Sequence, residues 1–207
     1  MNTIRKVAAG ALIIIGLPGS ALAATAVATV DVNVRSGPGP EFAVVDFLKQ
    51  DAAVELVGCL ADSKWCQVRK QDSLGWSYGD YLAINTTDGN AVIIGDTWPP
   101  AGLPTIAYAR PDGAAYAPAR PLRRLIAPAR RTARPPAFEP PPASVQTYVI
   151  ENRREPVLLD GEVVVGAAVP EDVELYEVPD YQYRYTYVNQ VPVLVQPDTR
   201  RVVHIYR

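Results

Sequence analysis

The chain opens its folded part with a regular alternation of apolar and polar residues. Between residues 30 and 35 valines alternate with polar side chains, and a Gly-Pro-Gly-Pro run follows at residues 37–40. A period of two is typical of a half-buried β-strand, and the glycine and proline cluster predicts a turn after it. Further strands are predicted at residues 44–48, 52–59, 65–70 and 75–78, with one helical turn at 79–82. Several short strands within about 60 residues predict a small all-β barrel or sandwich.

A second alternating region lies at the C-terminal end. Tyrosines at positions 181, 183, 185 and 187 alternate with other residues, and Asn189 and Gln190 then turn the chain. A second turn at residues 197–200 completes a predicted three-stranded antiparallel meander. Pro192 in the middle strand predicts an edge or a bulge there. The tyrosine row has two interpretations, a ligand-facing aromatic ladder or, as we favour, the buried face of the sheet.

Upstream of the meander, Asp160-Gly161 lies between two apolar runs and predicts a β-hairpin. We therefore expect residues 145–207 to form a small antiparallel β domain.

The two β regions are separated by residues 97–144, which are rich in proline, alanine and arginine. Proline has no backbone N–H to donate, so this segment is predicted to be an extended, largely disordered linker. The predicted organisation is therefore a barrel at residues 24–96, a linker at 97–144 and a β domain at 145–207.

Residues 1–23 have the features of a secretory signal peptide. Arg5 and Lys6 precede an apolar stretch at residues 7–17, and Ala21-Leu22-Ala23 provides a small-x-small cleavage site. The apolar stretch is about half of the ~20 residues that a spanning helix needs, although an uncleaved anchor is the alternative. We therefore predict an exported protein, periplasmic or secreted.

The two cysteines, Cys59 and Cys66, lie on consecutive predicted strands. Directly opposed residues in an antiparallel pair have Cα atoms roughly 4.5–5.5 Å apart, which suits a disulfide. An exported compartment is oxidising and favours the same bond. A metal site is the alternative, but two thiols and the distant His204 fall short of four ligands. We predict no metal site and no cofactor.

The net charge of −2 hides an uneven distribution, because arginines concentrate in the linker and acidic residues lie on both sides of it. Contact of this cluster with anionic surfaces is one interpretation, and a solvated linker is the other. Export and the lack of interleaved aromatic residues argue against nucleic acid. The arginines are Arg120, Arg123, Arg124, Arg130, Arg131 and Arg134.

Catalysis is not indicated. A serine or cysteine nucleophile needs a nearby base, and the chain has one histidine, His204, predicted to lie on a surface strand. Acidic residues are numerous, but neither β unit, of roughly 60 residues, has room for a deep substrate cleft. We predict a protein that is not an enzyme.

The order of motifs in the N-terminal unit resembles a bacterial SH3-like (SH3b) domain. The matching stretches are Val-Asn-Val-Arg-Ser-Gly-Pro-Gly at 32–39, Val-Glu-Leu at 54–56, Trp-Cys-Gln-Val at 65–68, Gly-Trp at 75–76 and Tyr-Leu at 81–82. This resemblance implies a small barrel that binds cell-wall peptide or envelope proteins. Residues 173–206 resemble an uncharacterised C-terminal family of Gram-negative envelope proteins, from which no biochemical role follows.

Five residues of the predicted barrel are candidates for ligand contact. Trp65 lies on the face of its strand opposite Cys66, so its side chain should point outward. Asn33 and Arg35 are predicted to point outward beside the Gly/Pro turn. Tyr78 and Tyr81 either line an aromatic groove or cap the core. The resulting hypothesis is a non-catalytic envelope protein that binds peptidoglycan peptide or an envelope protein. The alternative is a structural or stress-related envelope protein whose C-terminal domain mediates assembly.

Overall fold

The computed structural model describes residues 24–85, 90–100, 102–109, 123–124 and 138–207. The predicted signal peptide and most of the predicted linker lie outside these ranges. The described part is mostly β, as predicted, with one short α-helix. Within it, no helix has the length and apolar character needed to cross a lipid bilayer.

The N-terminal unit is a sheet of eight strands in the spatial order β3-β2-β6-β5-β4-β1-β7-β8. Neighbouring strands are antiparallel, and the predicted strands at 44–48 and 65–70 are confirmed without a shift. A 3-10 turn at Gly79–Tyr81 occupies the predicted helical turn. The strands are β1 Ala24–Ala28, β2 Val32–Arg35, β3 Val44–Leu48, β4 Ala53–Cys59, β5 Trp65–Lys70, β6 Ser73–Tyr78, β7 Leu82–Asn85 and β8 Ala91–Ile93.

The barrel core depends on a close crossing of β2 over β6. These strands pair only at Arg35 and Trp76. A Cβ atom on Gly75 would lie 2.3 Å from Cγ1 of Val34, so the crossing leaves no space for a side chain at position 75. The Gly-Trp motif therefore combines a close backbone approach with a buried core ring at Trp76.

The barrel extends past the boundary predicted at residue 96. Strand β1 pairs with β4 only as far as Leu56, so beyond that residue the same edge of β4 bonds a further segment. The N–H of Cys59 donates to the carbonyl of Pro104 at 2.9 Å, and the N–H of Ile106 donates to the carbonyl of Cys59 at 3.0 Å. Tyr108 packs its ring against Phe42 and Trp76. The first part of the proline-rich region is thus ordered by the barrel.

Cys59 and Cys66 are directly opposed on β4 and β5 and form the predicted disulfide, with Cα atoms 4.0 Å apart. Closing a loop of this length should stabilise the fold by about 2.5 kcal/mol on the chain-entropy model.

Reduction is therefore expected to lower the melting temperature of the chain, measured by circular dichroism with and without reductant. A Cys59→Ser/Cys66→Ser double variant is the control and should not respond to reductant. An unchanged melting temperature of the reduced wild-type chain would contradict this contribution.

The C-terminal unit contains the predicted meander. Its four-stranded sheet has the order β11-β12-β13-β14. Asn189 and Gln190 have φ angles of 51° and 70°, which is the left-handed conformation of a two-residue type I′ hairpin turn. The elements are α1 Ala143–Glu151, β10 Leu159–Asp160, β11 Tyr176–Glu177, β12 Arg184–Val188, β13 Val191–Gln196 and β14 Arg201–Ile205.

Pro192 does not mark an edge, since its strand β13 lies between β12 and β14. The strand tolerates proline, which lacks an N–H, because Pro192 lies level with Tyr206, one residue beyond the end of β14. The carbonyl of Pro192 still accepts the N–H of Tyr206. The irregularity in this strand occurs two residues later, between Leu194 and Val195.

Helix α1 was not predicted. Val145 and Val149 are four residues apart and form its buried face. The hydroxyl of Tyr187 donates to the carbonyl of Val149 at 2.9 Å, and that of Tyr185 donates to the carbonyl of Asn152 at 2.7 Å. These tyrosines satisfy carbonyls at the helix end that have no partner within the helix. The favoured buried interpretation of the tyrosine row is correct for this half of it.

The predicted hairpin at Asp160-Gly161 is wrong. The two-residue strand β10 pairs instead in parallel with β9 (Arg123–Arg124), a short strand within the predicted linker. Gly161 has a φ angle of 90° and turns the chain, but the residues after it do not return along β10. They enter the contact between the two domains.

Candidate functional site

A fully buried arginine of the barrel faces the C-terminal domain. The side chains of Arg35, on β2, and Glu162, after Gly161, are both fully inaccessible to solvent. The Nε of Arg35 donates to Oε2 of Glu162, and its Nη2 donates to Oε1 of the same carboxylate at 2.8 Å. This two-point geometry is the strong, directional form of an arginine–carboxylate pair.

The other N–H groups of Arg35 are also satisfied. Its Nη1 donates to the carbonyl of Phe42 at 2.7 Å and to that of Pro40, the last residue of the Gly/Pro turn, at 3.3 Å. Its Nη2 donates to the carbonyl of Asn189 at 2.8 Å. All five donors of the guanidinium therefore have acceptors, as a buried arginine requires.

Two further side chains from the barrel and the C-terminus complete the cluster. Asn33 donates from Nδ2 to Glu162 at 3.1 Å and accepts at Oδ1 from Nε of Arg207 at 2.7 Å. Burial lowers the pKa of Arg207 from its ordinary value, and the carboxylates of Asp31 and Glu162 act in the opposite direction. We call Asn33, Arg35, Glu162, Asn189 and Arg207 the interdomain clamp.

The hairpin turn between β12 and β13 fixes the position of Glu162. The side chain of Asn189 accepts the N–H of Leu159 at 2.8 Å and donates to the carbonyl of Gly161 at 3.1 Å. It therefore ties the turn to the segment that carries the glutamate. Gly161 lies against Tyr78, whose ring would be 3.4 Å from a Cβ atom added at position 161.

Apolar contacts surround the clamp. Val164 and Ala167 of the C-terminal domain belong to the same buried cluster as the barrel core. Val44 of the barrel packs in turn against the C-terminal core. The two domains thus share a continuous core, and the clamp satisfies the polar groups within it. The clamp holds the two domains together and is not available for other chemistry, because both of its buried charges are paired with each other.

This contact corrects the predicted orientation of the candidate residues. Strand β2 is buried on both faces, not half-buried, so Asn33 and Arg35 point into the domain contact. Trp65 was expected to point outward but is only 2% exposed. It lies opposite Tyr78 on β6, with the two rings 5.4 Å apart and edge to face.

Tyr78 and Tyr81 are buried too, with ring centroids 6.2 Å apart. A role in ligand binding stays a prediction for all five candidates. For Asn33 and Arg35 it would require the domains to separate, because both side chains are bonded to Glu162.

The barrel keeps an open groove on another side, between β3 and β6. The groove has a volume of about 330 Å³. Val45 and Leu74 on its walls are 57% and 49% exposed. Lys70 and Asp46 form an ion pair at 2.8 Å beside them, and this pair lowers the pKa of Asp46. Apolar walls beside a charged donor and a charged acceptor make this groove a candidate binding surface.

Glu162 is the functional residue that the sequence interpretation missed. One signal was present, because Glu162 follows a glycine and precedes three valines, which is an unusual place for a charge. No clusters of three or more His, Cys, Asp or Glu residues suited to a metal occur in the described ranges.

The fold and the clamp define a two-domain protein of small β modules joined through a buried ion pair. Residues 30–83 match the family model described as bacterial SH3 domain, which confirms the resemblance in the barrel. Residues 148–207 match the domain of unknown function DUF1236. No curated protein matches the chain. The bacterial SH3 domain suggests a binding role, DUF1236 is uncharacterised, and a bacterial SH3 domain with a disulfide is consistent with an extracytoplasmic protein.

Proposed function

We propose that this protein is a non-catalytic, exported envelope protein whose barrel binds the peptide part of peptidoglycan. The bacterial SH3 domain at residues 30–83 carries the proposal, because such domains commonly bind peptidoglycan or proteins. The signal-peptide pattern at residues 1–23 and the Cys59–Cys66 disulfide support a periplasmic or secreted location.

The groove between β3 and β6 is the part of the barrel that we assign to the ligand. The face with Asn33 and Arg35 is occupied by the C-terminal domain. Val45 and Leu74, by contrast, expose large apolar side chains around the groove. Apolar groups that face solvent at a groove gain free energy when a partner covers them.

Co-sedimentation of residues 24–207 with purified, insoluble peptidoglycan tests this assignment. The wild-type chain should enter the pellet at low salt, and Leu74→Ser should lower the fraction that sediments. Leu74 is half exposed, so the substitution should change stability by no more than about 0.5 kcal/mol. Ile150→Ser, at an equally exposed apolar site on α1, is the matched control and should sediment like the wild type.

Two results would contradict the proposal. If the wild-type chain stays in the supernatant at low salt, peptidoglycan is not the ligand. If Leu74→Ser and Ile150→Ser sediment equally well, the groove is not the binding surface.

A further inference from the structure

The C-terminal domain carries a second groove, on the side of its sheet away from the clamp. It has a volume of about 560 Å³ and is lined by α1, the turn before β12 and the start of β12. The half of the tyrosine row that is not buried, Tyr181 and Tyr183, lies here with Tyr148. The row is thus divided between core packing at one end and a solvent-accessible groove at the other.

The aromatic rings form an extended surface along the groove. Tyr181 and Tyr183 have centroids 5.6 Å apart and ring planes at 81°. Phe138 does not line the groove but packs edge to face on Tyr183, with the ring centroids 6.4 Å apart. Half-exposed rings of this kind offer apolar faces and polar hydroxyls to one ligand.

Polar groups of both hydrogen-bonding types accompany the rings. Arg184 pairs with Glu177 at 3.0 Å, so this carboxylate is balanced by a cation. Gln182 is exposed and offers both a donor and an acceptor, and Asp180 adds acceptors.

The turn that carries Asp180 is fixed in shape. The N–H of Tyr181 donates to the carbonyl of Val178, and Pro179 and Asp180 occupy the two central positions. Asp180 has a φ angle of 55°, as the third residue of a type II turn requires. The backbone that carries Asp180 is therefore fixed before any ligand arrives, which lowers the entropy cost of binding.

We propose that this groove binds a saccharide chain. Sugars present apolar C–H faces and many hydroxyls that both donate and accept, which matches rings flanked by amide, carboxylate and guanidinium groups. A basic peptide fits less well, because Arg184 neutralises Glu177 within the groove. The inference rests on the proposed envelope role in one respect: that role is the reason for choosing an amino-sugar oligomer as the probe.

Binding of the N-acetylglucosamine tetramer to residues 24–207, measured by calorimetry, tests this inference. Tyr181→Ala and Tyr183→Ala should each weaken binding by about tenfold, the loss expected for one ring contact. Tyr181→Phe keeps the ring and should retain most of the affinity.

Tyr176→Ala is the matched control. Tyr176 is also a half-buried tyrosine of the same sheet, but it stacks with Arg154 at 4.3 Å and does not line the groove. This variant should bind like the wild type. Gln182→Ala changes an exposed side chain without a risk to folding and should weaken binding measurably.

The inference is overturned if the wild-type chain does not bind the tetramer, or if Tyr181→Ala and Gln182→Ala both bind it with wild-type affinity. It is also overturned if a tetra-arginine peptide binds the groove in place of the tetramer. Leu74→Ser should leave tetramer binding intact, so failure of this inference and failure of peptidoglycan sedimentation are separate results.

Discussion

Replacing Glu162 with alanine is expected to lower the free energy of unfolding by about 3–5 kcal/mol. The substitution leaves Arg35 buried with its charge unpaired and removes the acceptor of Asn33. Urea denaturation of residues 24–207, followed by circular dichroism, measures the loss. The effect should be nearly independent of salt, because the pair is shielded from solvent ions.

Glu55→Ala is the matched control for this variant. Glu55 pairs with Arg69 at 3.4 Å on the surface of β4 and β5, and both side chains are exposed. Exposed pairs contribute about 0–1 kcal/mol. If Glu162→Ala and Glu55→Ala lose the same small amount, the domains are not held together as described.

Replacing Trp65 with alanine is expected to lower the free energy of unfolding by about 3–5 kcal/mol, because it leaves a large cavity in the barrel. The ring is buried against Tyr78 on the neighbouring strand. Denaturation of Trp65→Ala, compared with Leu74→Ala on the exposed wall of the open groove, measures the effect. Leu74→Ala should stay within about 0.5 kcal/mol of the wild type.

This expectation would be contradicted if Trp65→Ala kept the stability of the wild type but lost peptidoglycan binding. Trp65 would then be a ligand contact, as the strand pattern suggested, and its burial against Tyr78 would not persist in solution.

The parts of the fold that could be predicted from the sequence are those with local causes. Alternation within six residues indicates which residues form β5, and the short turn at Asn189-Gln190 determines the register of β12 with β13. The opposed cysteines follow from the same local geometry. These features depend on neighbours that are near in sequence.

The features that escaped prediction depend on contacts between distant residues. Arg35 and Glu162 are separated by 127 positions, and nothing near either residue indicates the partner. Trp65 was assigned to the outer face of the barrel from the strand alternation, but its ring packs against Tyr78 and belongs to the barrel core, which alternation within one strand does not indicate. Helix α1 is nine residues long and depends on tyrosines of β12 for its packing and its end.

The central claim is that the barrel and the C-terminal domain form one folded unit through the clamp and the shared core. Differential scanning calorimetry of residues 24–207 tests it most directly. One transition, with a calorimetric enthalpy equal to the van't Hoff enthalpy, is the predicted result. Two separable transitions, or a calorimetric enthalpy well above the van't Hoff value, would show that the domains unfold independently and would contradict the account.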